Sequence, residues 1–165
     1  MIEGVAEKVP QRLKYLVNID GEVPSNGRSF LEIVDDHHPQ FSVVLHQIVR
    51  DEGEGWLIPP SERFRMFVFP EKNALFGVTN DQDIKWMRPR LTPHPISTFE
   101  QTLYLTHPEA AELPRTYIWC SILDSKKIAE RPFLPPNWSL VELETGHDAM
   151  ITEPHKLSKI LLELA

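Results

Sequence analysis

The chain contains 165 residues, of which 41% are apolar and 25% charged, and its 17 basic and 24 acidic side chains give a formal charge of −7. These figures are typical of one compact globular domain and exclude a disordered or collagen-like chain. The acidic balance argues against a nucleic-acid partner, because a phosphate backbone is bound by clustered basic side chains. The sequence has no apolar run long enough for a bilayer and no basic-then-apolar signal segment, so we expect a cytoplasmic protein.

The cysteine and histidine content argues against a metal site. The single cysteine, Cys120, excludes an internal disulfide and a cysteine-rich zinc site. His37 and His38 are candidate ligands, but adjacent side chains diverge on a helix or strand, and no suitably spaced carboxylate or histidine completes the set. We therefore expect neither a metal nor a cofactor.

The first predicted elements are a helix and a strand. An apolar stripe at helical spacing predicts a helix that Pro10 ends. The apolar run 15–19 is too short for a helix and ends at the turn signal Asp20-Gly21, so it predicts a buried strand. A helix followed closely by a strand is typical of an α/β protein.

The middle of the chain, from Pro24 to about Gln101, is divided into short segments by prolines. Two helices are predicted within it. Pro39 suits a first helical turn and is followed by apolar residues at helical spacing. A second helix is predicted from Asp81 to Arg88. We interpret this part as a helical excursion between two strands of a sheet.

Two more strands and a terminal helix follow. The segment 116–122 is rich in β-branched and aromatic residues, and 138–143 follows a proline-rich turn. Near the C-terminus Thr152 can cap a helix that has Pro154 in its first turn. The apolar stripe of this helix consists of Leu157, Ile160, Leu161 and Leu164. The predicted fold class is therefore α/β.

The segment 144–150, between the last predicted strand and the last helix, is the most informative for function. In open α/β sheets, the loops that leave the carboxyl ends of the strands line the ligand crevice. His147, in this loop, is therefore expected to point toward a site. The alternative for a lone loop histidine is a solvated side chain.

Gly146-His147, followed by Pro154 at the start of an amphipathic terminal helix, resembles the catalytic-histidine signature of the α/β-hydrolases. Other segments resemble the helix and strand that follow the nucleophile of that fold, or bacterial relatives of its plant esterase and hydroxynitrile-lyase branch. These segments are Val9-Pro10, Leu16-Val17, Ile19-Asp20, Val23-Pro24, Leu91-Thr92-Pro93-His94-Pro95 and Leu113-Pro114-Arg115-Thr116-Tyr117-Ile118. The resemblance covers nearly the whole chain. It implies the later parallel strands of an α/β-hydrolase sheet, built from residues 1–23 and 102–165, with a helical cap over residues 24–101.

The resemblance also implies catalytic roles. His147 is the implied general base, which takes a proton from a serine hydroxyl and returns it to the leaving group. The partner acid is expected after the strand before the last one, where Asp124 stands, although Leu123 falls at the position that the plant members suggest. Asp20 is the alternative acid, because some α/β-hydrolases carry it one strand earlier. Asp148 is adjacent to the histidine and is expected to be structural.

The nucleophile motif of the family, Gly-x-Ser-x-Gly, does not occur in the sequence. Ser29 has a glycine two residues before it, but Leu31 replaces the second glycine. Cys120 lies within an apolar strand and is no substitute. We therefore expect a C-terminal portion that starts just after the nucleophile elbow. Its first strand would have an unpaired edge, so we expect self-association or a complementary N-terminal chain there.

The chain is predicted to be the part of a serine carboxylic-ester hydrolase that carries the general base. The chain alone is expected to be inactive. Trp56, Phe76 and Trp86 of the cap, with Met150, are the predicted contacts for a small apolar ester, although such residues also pack a cap against its body. One alternative is hydroxynitrile-lyase-like cleavage by the same base in a complete assembly. The other is a non-catalytic protein that binds a small apolar ligand or a partner chain.

Overall fold

The computed structural model describes residues 2–68, 75–122 and 132–164. Its regular elements are helices and short strands mixed along the chain. In chain order these are α1 (Ile2–Lys8), β1 (Leu16–Ile19), α2 (Phe30–His37), α3 (Phe41–Glu52), β2 (Leu57–Ile58), α4 (Glu62–Val68), α5 (Asp81–Met87), β3 (His94–Pro95), α6 (Ser97–Glu100), α7 (Pro108–Glu112), β4 (Arg115–Cys120), β5 (Trp138–Leu143), α8 (Ala149–Thr152) and α9 (Pro154–Leu164).

A three-stranded sheet within these ranges has the order β1-β4-β5. The Leu16 N–H donates to the Pro114 carbonyl at 3.0 Å, and the Asp20 N–H donates to the Ile118 carbonyl at 2.8 Å. Both partners advance by four residues, as in a parallel ladder. The predicted α/β class with parallel strands is confirmed. A separate antiparallel pair joins β2 to β3.

The chain divides into two compact units. The first consists of residues 1–17, 21–64 and 92–115, and the second of residues 18–20, 65–91 and 116–165. The predicted division into a core and a cap stays a prediction.

The first unit is built on two apolar clusters. The larger one is centred on α3, whose predicted apolar stripe buries Leu45 and Ile48 completely. Its members are Leu31, Leu45, Val49, Ile58 and Ile96, with Phe30, Phe41, Phe64 and Phe99 packed against them. The smaller one consists of Ala6, Leu16 and Ala110, with Leu13 and Leu113.

A buried ion pair ties α1 to the start of β4. Arg115 Nη2 lies 2.9 Å from Glu3 Oε2, and the two side chains are 7% and 5% exposed. The guanidinium also donates to the carbonyls of Ala110 and Leu113, each at 2.7 Å. These bonds satisfy the donors of the arginine, which offsets the cost of removing both charges from water.

Helix α2 was not predicted, although the sequence contains its start signal. The Glu32 N–H donates to Ser29 Oγ at 3.3 Å, and the Ser29 N–H donates to Glu32 Oε2 at 2.7 Å. This reciprocal arrangement is a capping box, written in the sequence as Ser-x-x-Glu. Ser29 is therefore a buried helix cap.

The predicted start of one helix and the predicted cap of another were wrong. Helix α3 begins at Phe41, and Gln40 before it has a φ of 75°, so Pro39 precedes the helix instead of lying in its first turn. Thr152 closes α8 and does not cap α9, which begins at Pro154 as expected. The residues directly before the two helices, Gln40 and Glu153, both have non-helical backbone angles, and apolar spacing does not indicate such bends.

We expect Ser29→Ala to lower the free energy of unfolding by about 1 kcal/mol, because the substitution removes the cap of α2. Urea denaturation followed by circular dichroism measures the change. Ser158→Ala, at an exposed position of α9, is the matched control and should leave stability within a few tenths of a kcal/mol. Equal stability of the two variants would contradict the capping role.

Candidate active site

His147 and Asp20 meet in the second unit. His147 lies in the loop between β5 and α8, and Asp20 directly follows β1. The distance between His147 Nδ1 and Asp20 Oδ2 is 2.8 Å, with the imidazole 47% exposed and the carboxylate 19% exposed. A carboxylate at Nδ1 assigns the proton of a neutral imidazole to that nitrogen, which leaves Nε2 as a proton acceptor. The pair can therefore act as an oriented base.

The backbone fixes the second carboxylate oxygen of Asp20. The Cys120 N–H donates to Asp20 Oδ1 at 3.0 Å. Asp20 itself has a φ of 49°, in the left-handed region. Residues other than glycine seldom adopt this conformation, although aspartate tolerates it better than most, and such strain is common at functional sites. The turn at the end of β1 thus directs the Asp20 carboxylate toward His147, and the bond from the Cys120 N–H holds that carboxylate to strand β4.

A tight turn packs against the histidine loop. Leu75 and Val78 exchange backbone hydrogen bonds at 3.0 and 2.9 Å. The two residues between them, Phe76 and Gly77, have φ values of 52° and 77°, as in a type I′ turn. The Phe76 carbonyl accepts the Asp148 N–H at 2.9 Å. The ring centroids of Phe76 and His147 are 6.5 Å apart, so this turn forms one wall beside the imidazole.

The surroundings raise the pKa of His147. The hydrogen bond to Asp20 is the largest cause, burial acts against it, and the negative charges of Asp20 and Asp148 add to it. Burial also raises the pKa of Asp148, while the nearby His147 lowers it. The imidazolium is therefore favoured by the same carboxylate that orients the ring.

Cys120 lies beside this pair but is poorly suited to act as a nucleophile. It is 2% exposed, and its Sγ lies 3.9 Å from the His147 carbonyl oxygen. Burial is the first cause that raises the pKa of its thiol to about 12, followed by the charges of Asp20 and Asp148. A thiol in this state holds its proton at neutral pH.

The structure places the other predicted site residues as follows. Asp124 lies outside the described residues. Among the predicted substrate contacts, Phe76 lies beside His147, whereas the 53% exposed Trp86 carries the Arg90 guanidinium 4.5 Å from its ring centroid. Met150 on α8 is 49% exposed, and Trp56 in the first unit is 55% exposed.

Among residues 2–68, 75–122 and 132–164 there is no group of three or more His, Cys, Asp or Glu side chains that could hold a metal ion. Across those ranges no helix combines the length and apolarity that a membrane span requires.

Comparison with known proteins relates the chain to an esterase. It is 28% identical over 173 aligned positions to a carbendazim hydrolyzing esterase of Nocardioides sp. (strain SG-4G), covering 99% of this chain and 66% of the esterase. No family model matches the chain.

Two solved structures resemble it in fold. A variant of tomato methylketone synthase I complexed with beta-ketoheptanoate gives a TM-score of 0.67 at 16% identity, covering 99% of this chain and 65% of that protein. A pyrethroid hydrolase from Sphingobium faniae JZ-2 gives 0.57 at 15% identity, covering 98% of this chain and 64% of that protein. The chain therefore shares the mixed α/β fold of these two proteins and spans slightly less than two thirds of the length of these relatives.

We expect Asp20→Asn to lower the pKa of His147, because an amide removes the main cause of its rise. Because the folded pKa of His147 is raised, the pair stabilises the fold fully below the unfolded value of about 6.5 and loses this effect as pH rises through the folded pKa. Asp20→Asn should therefore remove the contribution of this pair to the pH dependence of the free energy of unfolding. Titration of the histidine ring signals by NMR, with urea unfolding between pH 5.5 and 9, measures both effects.

Asp81→Asn is the matched control, because Asp81 is an exposed carboxylate in the same unit. It should leave the titration of His147 unchanged. A His147 titration that is the same in Asp20→Asn and in the unmodified chain would contradict the observed pairing.

We expect Cys120 in the folded chain to react slowly with Ellman's reagent at pH 8. With a thiol pKa of about 12, roughly one thiol in ten thousand is ionised at that pH. Adding denaturant should restore fast reaction with one thiol per chain. Fast reaction without denaturant would show that the thiol is neither buried nor held neutral.

Proposed function

We propose that the chain supplies the acid–base pair of a serine carboxylic-ester hydrolase, with His147 as general base and Asp20 as the acid that orients it. The observation that carries the proposal is the 2.8 Å contact between His147 Nδ1 and Asp20 Oδ2. The similarity to a curated esterase supports the reaction class. Asp124 remains the alternative acid.

In the proposed reaction His147 Nε2 takes the proton of a serine hydroxyl while the serine oxygen attacks the ester carbonyl. The imidazolium then gives this proton to the departing alkoxide, which leaves an acyl-serine. In the second half, His147 takes a proton from water, whose oxygen attacks the acyl carbon, and the proton returns to the serine. Asp20 stabilises the imidazolium in both halves, because its carboxylate faces Nδ1.

The serine itself is proposed to come from outside the 165 residues, since the sequence contains no Gly-x-Ser-x-Gly. Strand β1 lies at one edge of the three-stranded sheet in the described ranges. An edge strand offers backbone donors and acceptors for pairing. We propose this edge as the place where a further strand, from a complementary chain or a second copy, would join.

The proposed substrate is a small apolar ester. Phe76 offers an apolar wall beside the imidazole, which suits an acyl or aromatic group at that place. Carbendazim and a pyrethroid are the first compounds to test, because the names of the similar proteins specify them. Hydroxynitrile-lyase-like cleavage and non-catalytic binding of a small ligand are the alternative functions.

We expect ester hydrolysis when this chain is combined with a polypeptide that carries Gly-x-Ser-x-Gly and completes the sheet. His147→Ala should lower the rate about a thousandfold or more, and Asp20→Asn should also lower it strongly through the wrong imidazole tautomer. Rates with p-nitrophenyl butyrate, carbendazim and a pyrethroid measure this. His155→Ala, an exposed histidine on α9, is the matched control and should retain activity.

Two outcomes would contradict the proposal. A fluorophosphonate probe should label the serine-bearing polypeptide, and labelling of the present chain at any residue would show a nucleophile that the proposal excludes. Loss of activity in Asp124→Asn with full activity in Asp20→Asn would assign the acid to Asp124 instead.

A further inference from the structure

Gly77 and Gly146 approach each other more closely than side chains would allow. A β-carbon on Gly77 would lie 2.5 Å from the His147 backbone nitrogen and 2.7 Å from Gly146 Cα. A β-carbon on Gly146 would lie 2.4 Å from the Gly77 carbonyl oxygen. All of these neighbours are backbone atoms, so no side-chain rotation can relieve the overlap. The two glycines are therefore what lets the turn 75–78 lie directly on the histidine loop.

Two hydrogen bonds hold the peptide group that joins His147 to Asp148. The Phe76 carbonyl accepts its N–H, which is that of Asp148, at 2.9 Å. The Cys120 thiol donates to its carbonyl oxygen, which is that of His147, at 3.9 Å. The backbone at His147 is thus fixed by two elements that are remote from it in sequence.

This constraint matters because the imidazole is nearly half exposed. A solvated loop side chain samples several rotamers, and a single hydrogen bond to a partly exposed carboxylate orders it only modestly. Holding the backbone removes the larger movements and leaves the side-chain torsions for Asp20 to set. Such preorganisation is what a general base needs if Nε2 is to stay aimed at one point.

We propose that the turn Leu75–Val78 is a positioning element, in which Gly77 acts through the backbone of Gly146 and His147 to hold the imidazole on Asp20. The catalytic meaning of this inference rests on the proposed esterase function, whereas the positioning itself does not. Gly77 touches neither substrate nor the reacting atoms and is a positioning residue. The charged groups that act on the imidazole are Asp20 and Asp148.

Three alanine variants of the full chain separate the effect of steric overlap at the Gly77–Gly146 contact from the effect of left-handed backbone strain. Gly77→Ala introduces both overlap and strain, because Gly77 has a φ of 77° and close neighbours. Gly55→Ala introduces strain alone, because Gly55 has a φ of 80° and nothing within 4 Å of its β-carbon position. Gly146→Ala introduces the contact without left-handed strain, because Gly146 lies outside that region of φ.

The titration of the His147 ring, followed by NMR in each variant, is the deciding measurement. In Gly77→Ala and Gly146→Ala the pKa of His147 should fall toward its ordinary value of about 6.5, because the displaced loop loses the Asp20 bond. In Gly55→Ala it should stay unchanged, even if the chain is destabilised. In the chain that carries both substitutions, the pKa of His147 should fall no further than in the single variant with the larger effect. The reason is that both substitutions break the same contact.

The unmodified chain provides a second test that does not depend on whether a variant folds. A nuclear Overhauser effect between the α-protons of Gly77 and Gly146, and slowed hydrogen exchange at the Asp148 amide, are expected. Absence of that Overhauser effect, or an unchanged His147 titration in a folded Gly146→Ala chain, would overturn the inference. Failure of ester hydrolysis with the expected titrations would instead reject the proposed function and leave the positioning role standing.

Discussion

The candidate site depends on one contact, the hydrogen bond between Asp20 and His147. It joins residues from opposite ends of the chain, and it sets both the tautomer of the imidazole and the direction of its pKa shift. The parallel sheet makes the contact possible, because the carboxyl ends of its strands lie at one edge. The two catalytic functions proposed for this chain both use a histidine held by a carboxylate, and among the described residues Asp20 is the carboxylate bonded to the His147 ring.

The surroundings of the pair consist mainly of backbone constraints. Asp20 and Phe76 both have left-handed φ values, and two glycines touch where the turn meets the loop. Such conformations cost free energy, so the rest of the unit must hold them in place. The apolar cluster of Leu75, Val78 and Met87, with Phe76, Ile84, Leu91 and Ile151 packed on it, provides that support. Cys120 contributes to the same arrangement through its N–H and its thiol.

The sequence predicted some features well because their signals are local. Apolar periodicity predicts α3 and α9, and β-branched content predicts β4. Each of these signals lies within a few neighbouring residues, and the structure contains all three elements. The capping box of Ser29 and Glu32 is also a local signal, although the prediction for Ser29 concerns only the nucleophile motif. The glycine contact at Gly77 had a weaker signal, a phenylalanine and a glycine between two apolar residues, which suggests a turn but not what it touches.

The sequence by itself determined the α/β class, the loop that carries His147 and the place of Cys120 within an apolar strand, since periodicity and strand composition are properties of short segments. Only the tertiary structure decided which described carboxylate faces the imidazole, and that Glu3 and Arg115 form a buried pair. The two residues of each pair are more than 100 positions apart in the chain. Their meeting is set by strand order and by the packing of α1 against α7, which short-range patterns do not encode.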